Sequence, residues 1–227
     1  MNRIAPATLV AALALSVLPS AHAEADRPAR VRSTYDGTVV AALDSLKVKR
    51  EHRDGYDRDL FPLWDSQGGG CSTRDVVLID ESKDPDTAPD GDCDYTGRWR
   101  SAYDGVTTTD PSTFDIDHRV PLAEAWDSGA WRWTTATRER YANDLGDPRP
   151  LIAVSASSNR SKGDREPQDW MPAKRQCTYL VQWVVVKVRW HLAVNRREKR
   201  FVERDLGDLG CGNPTITVRR APVHYAP

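Results

Sequence analysis

The sequence predicts an α+β fold, with short strands set among amphipathic helices. Three observations lead there. Runs rich in β-branched and aromatic residues, such as DVVLID (75–80) and FDIDHRV (114–120), are short and bounded by Pro, Gly and Asp. Segments 38–49, 122–130, 134–144 and 177–206 place apolar residues at helical spacing. Four cysteines, Cys71, Cys93, Cys177 and Cys211, form no CxxC pair, so they read as two disulfides rather than a zinc knuckle.

The chain opens with a basic Met1-Asn2-Arg3, an apolar Ile4 to Pro19 and a small-x-small Ala21-His22-Ala23. That is the pattern of a signal peptide, residues 1–23, cleaved after Ala23 to release a secreted, extracellular protein. The apolar run falls short of the roughly 20 residues of a membrane span, so no membrane association is expected after cleavage. Residues 24–37 read as a mobile N-terminal segment and 38–227 as a single domain, a length that buries a real core. The formal net charge of −1 argues against a protein held on nucleic acid by bulk charge. It leaves room for an enzyme that grips nucleic acid through a local patch.

In chain order, 38–49 is a helix with Val39, Leu43 and Leu46 on one side. Gly68-Gly69-Gly70 forms a loop into Cys71, DVVLID is a strand, and 82–94 is a Pro/Asp/Gly loop. YTGRWRSAYDG (95–105) is a second strand or a hairpin arm. In FDIDHRVPL (114–122), Phe114, Ile116, His118 and Val120 alternate onto one side, Asp115 and Asp117 onto the other. Pro121 ends that strand, and LAEAWDSGA is a short helix. Thr134 or Thr135 caps a helix over 134–144. LIAVSASSNRSK (151–162) starts apolar and becomes a polar helix. CTYLVQWVVVKVRWHLAVNRREKRFVERDL (177–206) carries a long helical pattern, with Tyr179, Trp183, Val186 and Trp190 on one side. Its β-branched part, 181–188, also admits a strand. The tail after Cys211 adds a strand or stays loose. Cys71–Cys93 and Cys177–Cys211 is the favoured disulfide pairing among the three possible, because each bridge closes one sequence-local unit.

Three patches follow one another in strand, turn, helix order: Asp117-His118, Asn143-Asp144 and Asn159-Arg160-Ser161-Lys162. Hydrolysis of a phosphodiester needs a base for water and positive charge at the phosphoryl oxygens. A neutral histidine is the common base near pH 7, and carboxylate and carboxamide oxygens suit a hard cation. His118 fits the base, Asp117 and Asn159 the ligands, and Arg160 and Lys162 a grip on substrate phosphate. Asp115 shares a strand face with Asp117 and is its rival as ligand. Asp144 is the rival of Asn143.

IDHRVPL, AND and LIAVSASSNRSKGD together resemble the HNH (ββα-metal) nucleases, in the variant DH…N…N form. The wider context GRWRSAYDG, RERYANDL and SNRSKGDREPQDWMP resembles secreted bacterial HNH-family proteins of about this length. The resemblance implies a ββα-metal (HNH/His-Me finger) core within 114–164, flanked by helices. It implies His118 as general base and Asp117 and Asn159 as ligands of one divalent cation. Asn143 would orient the loop carrying His118. Asparagine in place of the commoner final histidine favours Mg²⁺, with Mn²⁺ as substitute. The expected protein is a monomeric endonuclease with little sequence specificity, acting on nucleic acid (DNA favoured, RNA open) without an obligate protein partner. A non-catalytic binding protein on the same fold and a nuclease toxin acting on competitor cells are the alternatives.

Overall fold

The computed structural model describes residues 33–84, 87–88 and 93–227. The signal-peptide expectation and most of the segment expected to be mobile lie outside these residues. Within them the protein is mixed α/β, built from small sheets and two disulfides. Strand β1 (Thr34–Thr38) leads into helix α1 (Val39–Ser45), whose N-cap Thr38 accepts a hydrogen bond from the Ala41 amide. Residues 34–37 are therefore not part of a loose leader, as the sequence suggested. They pair antiparallel with β8 (Thr215–Arg219), so the C-terminal tail supplies the partner strand.

Strands β2 (Ser66–Gly68) and β3 (Cys71–Ser72) form a hairpin around the glycine turn, where Gly69 and Gly70 have positive φ. DVVLID, read above as a strand, is instead the body of helix α2 (Thr73–Glu81). Two features override the β-branched composition. Asp75 accepts from the Ser72 amide at 2.8 Å and the Ser72 hydroxyl at 2.6 Å, closing the helix start. Thr73, Val77 and Leu78 then fall together on the buried side, under β6 and β7.

The 95–105 segment contributes only β4 (Trp99–Arg100), paired with β5 (Thr107–Thr108). The central ribbon is β6 (Phe114–His118) against β7 (Leu151–Ser155), with Asp117 opposite Ile152 and His118 opposite Leu151. Between them run α3 (Leu122–Asp127) and α4 (Thr135–Ala142), the latter capped by the Thr134 side chain as expected. β7 passes directly into α5 (Ala156–Lys162), giving strand, strand, helix in contact. Phe114 and Ile116 join Leu151, Ala153, Val77, Leu78 and Trp99 in a small core on the α2 side.

The long helical pattern is two helices, α6 (Gln176–Arg189) and α7 (Arg196–Asp208). The break comes where His191 adopts φ +54°, Val194 bridges to Val48, and Asn195 opens a capping box with Glu198. Tyr179, Trp183, Val186 and Trp190 all point into the main core. A polar knot lies inside that core. The Lys187 ammonium reaches Glu124 at 2.6 Å, Glu198 at 2.7 Å and the Ser128 hydroxyl at 2.9 Å. Glu124 is buried for this reason. Cys71–Cys93 and Cys177–Cys211 are the bridges formed, the pairing expected.

Candidate active site

The site is built where β6, β7 and α5 meet. Asp115 and Asp117 alternate onto one face of β6, opposite Val154 and Ile152 of β7. α5 lies over this face because β7 feeds straight into it and Ser155 caps it, its hydroxyl accepting from the Ser158 amide. Ser155 and Ser158 hydroxyls also donate to Asp104, which holds that carboxyl down at about 2.

His118 closes the strand on the other side, between the rings of Trp64 (5.9 Å) and Tyr141 (6.2 Å). Its Nε2 lies 2.9 Å from the Ala142 carbonyl oxygen. A carbonyl only accepts, so Nε2 carries the proton and the neutral ring keeps its lone pair on Nδ1. Burial, the largest influence, pulls the imidazole down to about 4, so the neutral base form prevails at physiological pH.

The two rivals for the ligand role are separated. Asp117 is 5% exposed and fully engaged. Lys162 Nζ donates to both of its oxygens, at 2.8 and 2.9 Å, and Tyr103 OH donates to Oδ2 at 2.5 Å. The third Lys162 proton goes to the His118 carbonyl oxygen at 2.8 Å. Lys162 therefore corrects the sequence expectation. Its ammonium is completely buried, its three donors are spent, and none remains for a substrate phosphate. Asp115 is the carboxylate that meets Asn159, whose Nδ2 donates to Oδ2 at 3.2 Å. Arg160 lies beside them, Nε 3.8 Å from the same oxygen, with its guanidinium mostly in solvent and open to a phosphate.

Asn143 sits at the end of α4, next to the carbonyl that holds His118. Its side-chain hydrogen bonds go to other segments than the His118 loop. Nδ2 donates to the Pro62 and Glu139 carbonyls, and Oδ1 accepts from the Asp65 amide. The tie brackets Trp64, which has φ +60°, a conformation that a bulky side chain rarely adopts. Asn143 thus orients the loop that lays Trp64 against His118. Asp144 is occupied elsewhere, in a bidentate pair with Arg189 at 2.6 Å and a bond from Trp190. Trp64, Tyr103 and Tyr141 are site neighbours that no motif announced. Only their clustering as aromatics in FPLW, RSAYD and RYAND was visible.

Asp115 and Asn159 offer only oxygen donors for a cation, side by side and partly open to solvent, which suits a hard divalent ion. At Asp117 the Lys162 ammonium stands where such an ion would bind.

These features define a disulfide-braced α+β domain whose ribbon–helix junction gathers a neutral histidine, carboxylates, an asparagine and an exposed arginine. The chain belongs to the family of the C-terminal domain of GmrSD restriction endonucleases, which matches residues 73–202. That span contains the whole junction except Trp64. The chain is also 40% identical, over 85% of its length and 94% of the other's, to an uncharacterized secreted protein of the fungus Arthroderma benhamiae. No solved structure matches. Among the described residues, no helix is long and apolar enough to cross a membrane.

Proposed function

We propose that the protein is a secreted, metal-dependent endonuclease that hydrolyses phosphodiester bonds of nucleic acid, DNA before RNA, on an HNH-type (ββα-metal) core. The observation that carries this reading is the tautomer of His118. Its proton is spent on Ala142, and a lone pair is left on Nδ1 to accept a proton. Membership of a restriction-endonuclease domain family supports the reaction class. The two disulfides and the secreted relative support export, with residues 1–23 removed as the leader.

In this reading His118 Nδ1 takes a proton from water as the oxygen attacks phosphorus. The bond from phosphorus to the 3′ oxygen breaks, leaving a 5′ phosphate and a 3′ hydroxyl. Arg160 holds the phosphoryl oxygens. Asn159 and Asp115 would hold one divalent cation, Mg²⁺ or Mn²⁺, which supplies positive charge for the phosphoryl and leaving oxygens. Asp117, expected above as that ligand, reaches a cation only when Lys162 withdraws from it. Trp64 and Tyr141 keep water away from the imidazole faces.

The test is digestion of plasmid DNA and of RNA by residues 24–227 across a metal series. Cutting should require Mg²⁺ or Mn²⁺, stop in EDTA and be lost in a folded His118→Ala. Asp115→Ala should raise the Mg²⁺ needed for half-maximal cutting by roughly tenfold, one lost ligand. Equal cutting by wild type and His118→Ala would sink the proposal, and metal-independent binding without cutting would make this a binding protein.

A further inference from the structure

One residue past His118, and on the Asp115–Asp117 side of the ribbon, a small cavity of about 80 Å³ opens beside α6. Its floor is Arg119, Tyr103 and Tyr179, and its mouth is Arg175 and Thr178, both exposed. Gln182 completes the wall. Three polar atoms of this lining, Arg119 Nε, Tyr179 OH and Gln182 Oε1, have no partner among the described residues. Arg119 is 2% exposed and Tyr179 1%.

Arg119 is the unusual feature. Its guanidinium lies over the Tyr103 ring at 5.4 Å and the Tyr179 ring at 5.7 Å, with one long bond of 3.4 Å to Tyr103 OH. No carboxylate pairs with it among the described residues, and none lines the cavity. Stacking on two aromatic faces offsets part of the cost of burying a cation, but the charge stays unmatched. Water in the cavity would satisfy the hydrogen bonds and leave the charge. An anion answers both.

The surroundings favour an anion as well. The cavity lies at the first turn of α6, a 14-residue helix whose N-terminal amides and dipole attract negative charge. Its N-cap, Arg175 at φ +54°, places no side-chain acceptor on those amides. Thr178 and Tyr179 hydroxyls can donate, and the Gln182 carboxamide can rotate to present its NH₂. The volume is that of two or three liquid waters at about 30 Å³ each, room for one tetrahedral oxyanion.

We infer that this cavity is a phosphate-binding site, held by Arg119, Arg175, Tyr179 and the α6 N-terminus, which takes free phosphate or the terminal phosphate of a nucleic acid strand. The site stands on its own geometry and not on the cleavage reading. Tyr103 connects the two places, with its ring on the cavity and its hydroxyl on Asp117.

The experiment is calorimetric titration of the protein with inorganic phosphate in EDTA, where no cleavage occurs, using nitrate at matched ionic strength as control. Wild type should bind one phosphate. Tyr179→Phe, which removes only the unpartnered hydroxyl, and Arg175→Ala, at the exposed mouth, should each weaken binding roughly tenfold. Arg119→Met should abolish it. The two milder variants keep the test intact if Arg119→Met does not fold. Parallel titrations with a 5′-phosphorylated and a 5′-hydroxyl oligonucleotide assign the source. Tighter binding of the phosphorylated strand identifies a nucleic-acid end, and equal binding of the two strands identifies free phosphate. Absence of phosphate binding by wild type, or equal binding by wild type, Tyr179→Phe and Arg175→Ala, would overturn the inference. Absence of nuclease activity would leave it untouched.

Discussion

Replacing Lys162 by methionine tests the buried centre of the site most directly. Methionine keeps the aliphatic length and deletes the ammonium. Three bonds disappear at once, two to Asp117 and one to the His118 carbonyl. Asp117 is left 5% exposed with only the Tyr103 hydroxyl as donor. Breaking a buried pair from one side costs about 3–5 kcal/mol, because the surviving charge stays desolvated. In a domain of this size that lowers the melting temperature by roughly 10 °C. Chemical denaturation at neutral pH measures the loss. Adding Asp117→Asn to Lys162→Met should recover part of it, since a neutral carboxamide no longer needs the ammonium, and the double-mutant cycle isolates the coupling. If Lys162→Met instead unfolds within about 1 kcal/mol of wild type, the range of an exposed pair, and loses only affinity for nucleic acid, the structural role is wrong. The phosphate-gripping role expected from the sequence would then be right.

Two further outcomes follow from groups around the ribbon. Glu81 accepts from the Ala153 amide at the edge of β7, and burial raises its carboxyl to about 7. The folded state holds that proton more tightly than the unfolded chain, so its contribution is complete below about pH 4.5 and is lost as pH rises through 7. The loss approaches roughly 3 kcal/mol. Glu81→Gln keeps an acceptor for Ala153 and removes the titration, so it should match wild type near pH 4 and exceed it at pH 8; parallel pH profiles of stability would refute this. Asn143→Ala removes the tie on Pro62 and Asp65 and should cost about 2 kcal/mol, with a change in the near-ultraviolet dichroism of Trp64. An unchanged denaturation midpoint and spectrum would show that the loop holds itself.

The legible parts of the fold were those where one local signal acted alone. Thr134 or Thr135 was read as the cap of α4, and Thr134 is the one that caps it. Val39 and Leu43 marked the buried side of α1, and Tyr179, Trp183, Val186 and Trp190 that of α6. The misreadings fall where two local signals compete. At 75–80, Val76, Val77 and Ile79 favour a strand, while Ser72 with Asp75 starts a helix. Tertiary burial of Val77 and Leu78 against β7 settled it. At 190–195 the helical period runs on in the sequence, and the chain breaks because Asn195 with Glu198 starts a second helix. Residues 34–37 looked unanchored because their partner is β8 at the far end of the chain, Thr34 lying opposite Arg219 and Thr38 opposite Thr215, beyond the reach of any local pattern.

The same distinction explains the site. Strand period placed Asp115 and Asp117 on one face of β6, and the resemblance to the HNH nucleases implied that Asp117 and Asn159 would meet. Neither showed which carboxylate takes which partner. That depends on reach. Lys162, three residues beyond Asn159 and one turn further along α5, extends inward to Asp117, and the shorter Asn159 stops at Asp115, nearer solvent. A lysine beside a metal-ligand pattern is easily read as a hand for phosphate, and here burial decides against it. Next to β6, the positive charge free to meet a phosphate therefore comes from two arginines instead, with Arg175 further out at the cavity mouth. Arg160 lies at the exposed edge of the junction, and Arg119 sits beneath the Tyr103–Asp117 contact. Of the two, only Arg119 is buried without a counter-charge, which is why the cavity above it, and not the exposed helix face, is the place to look for a second phosphate.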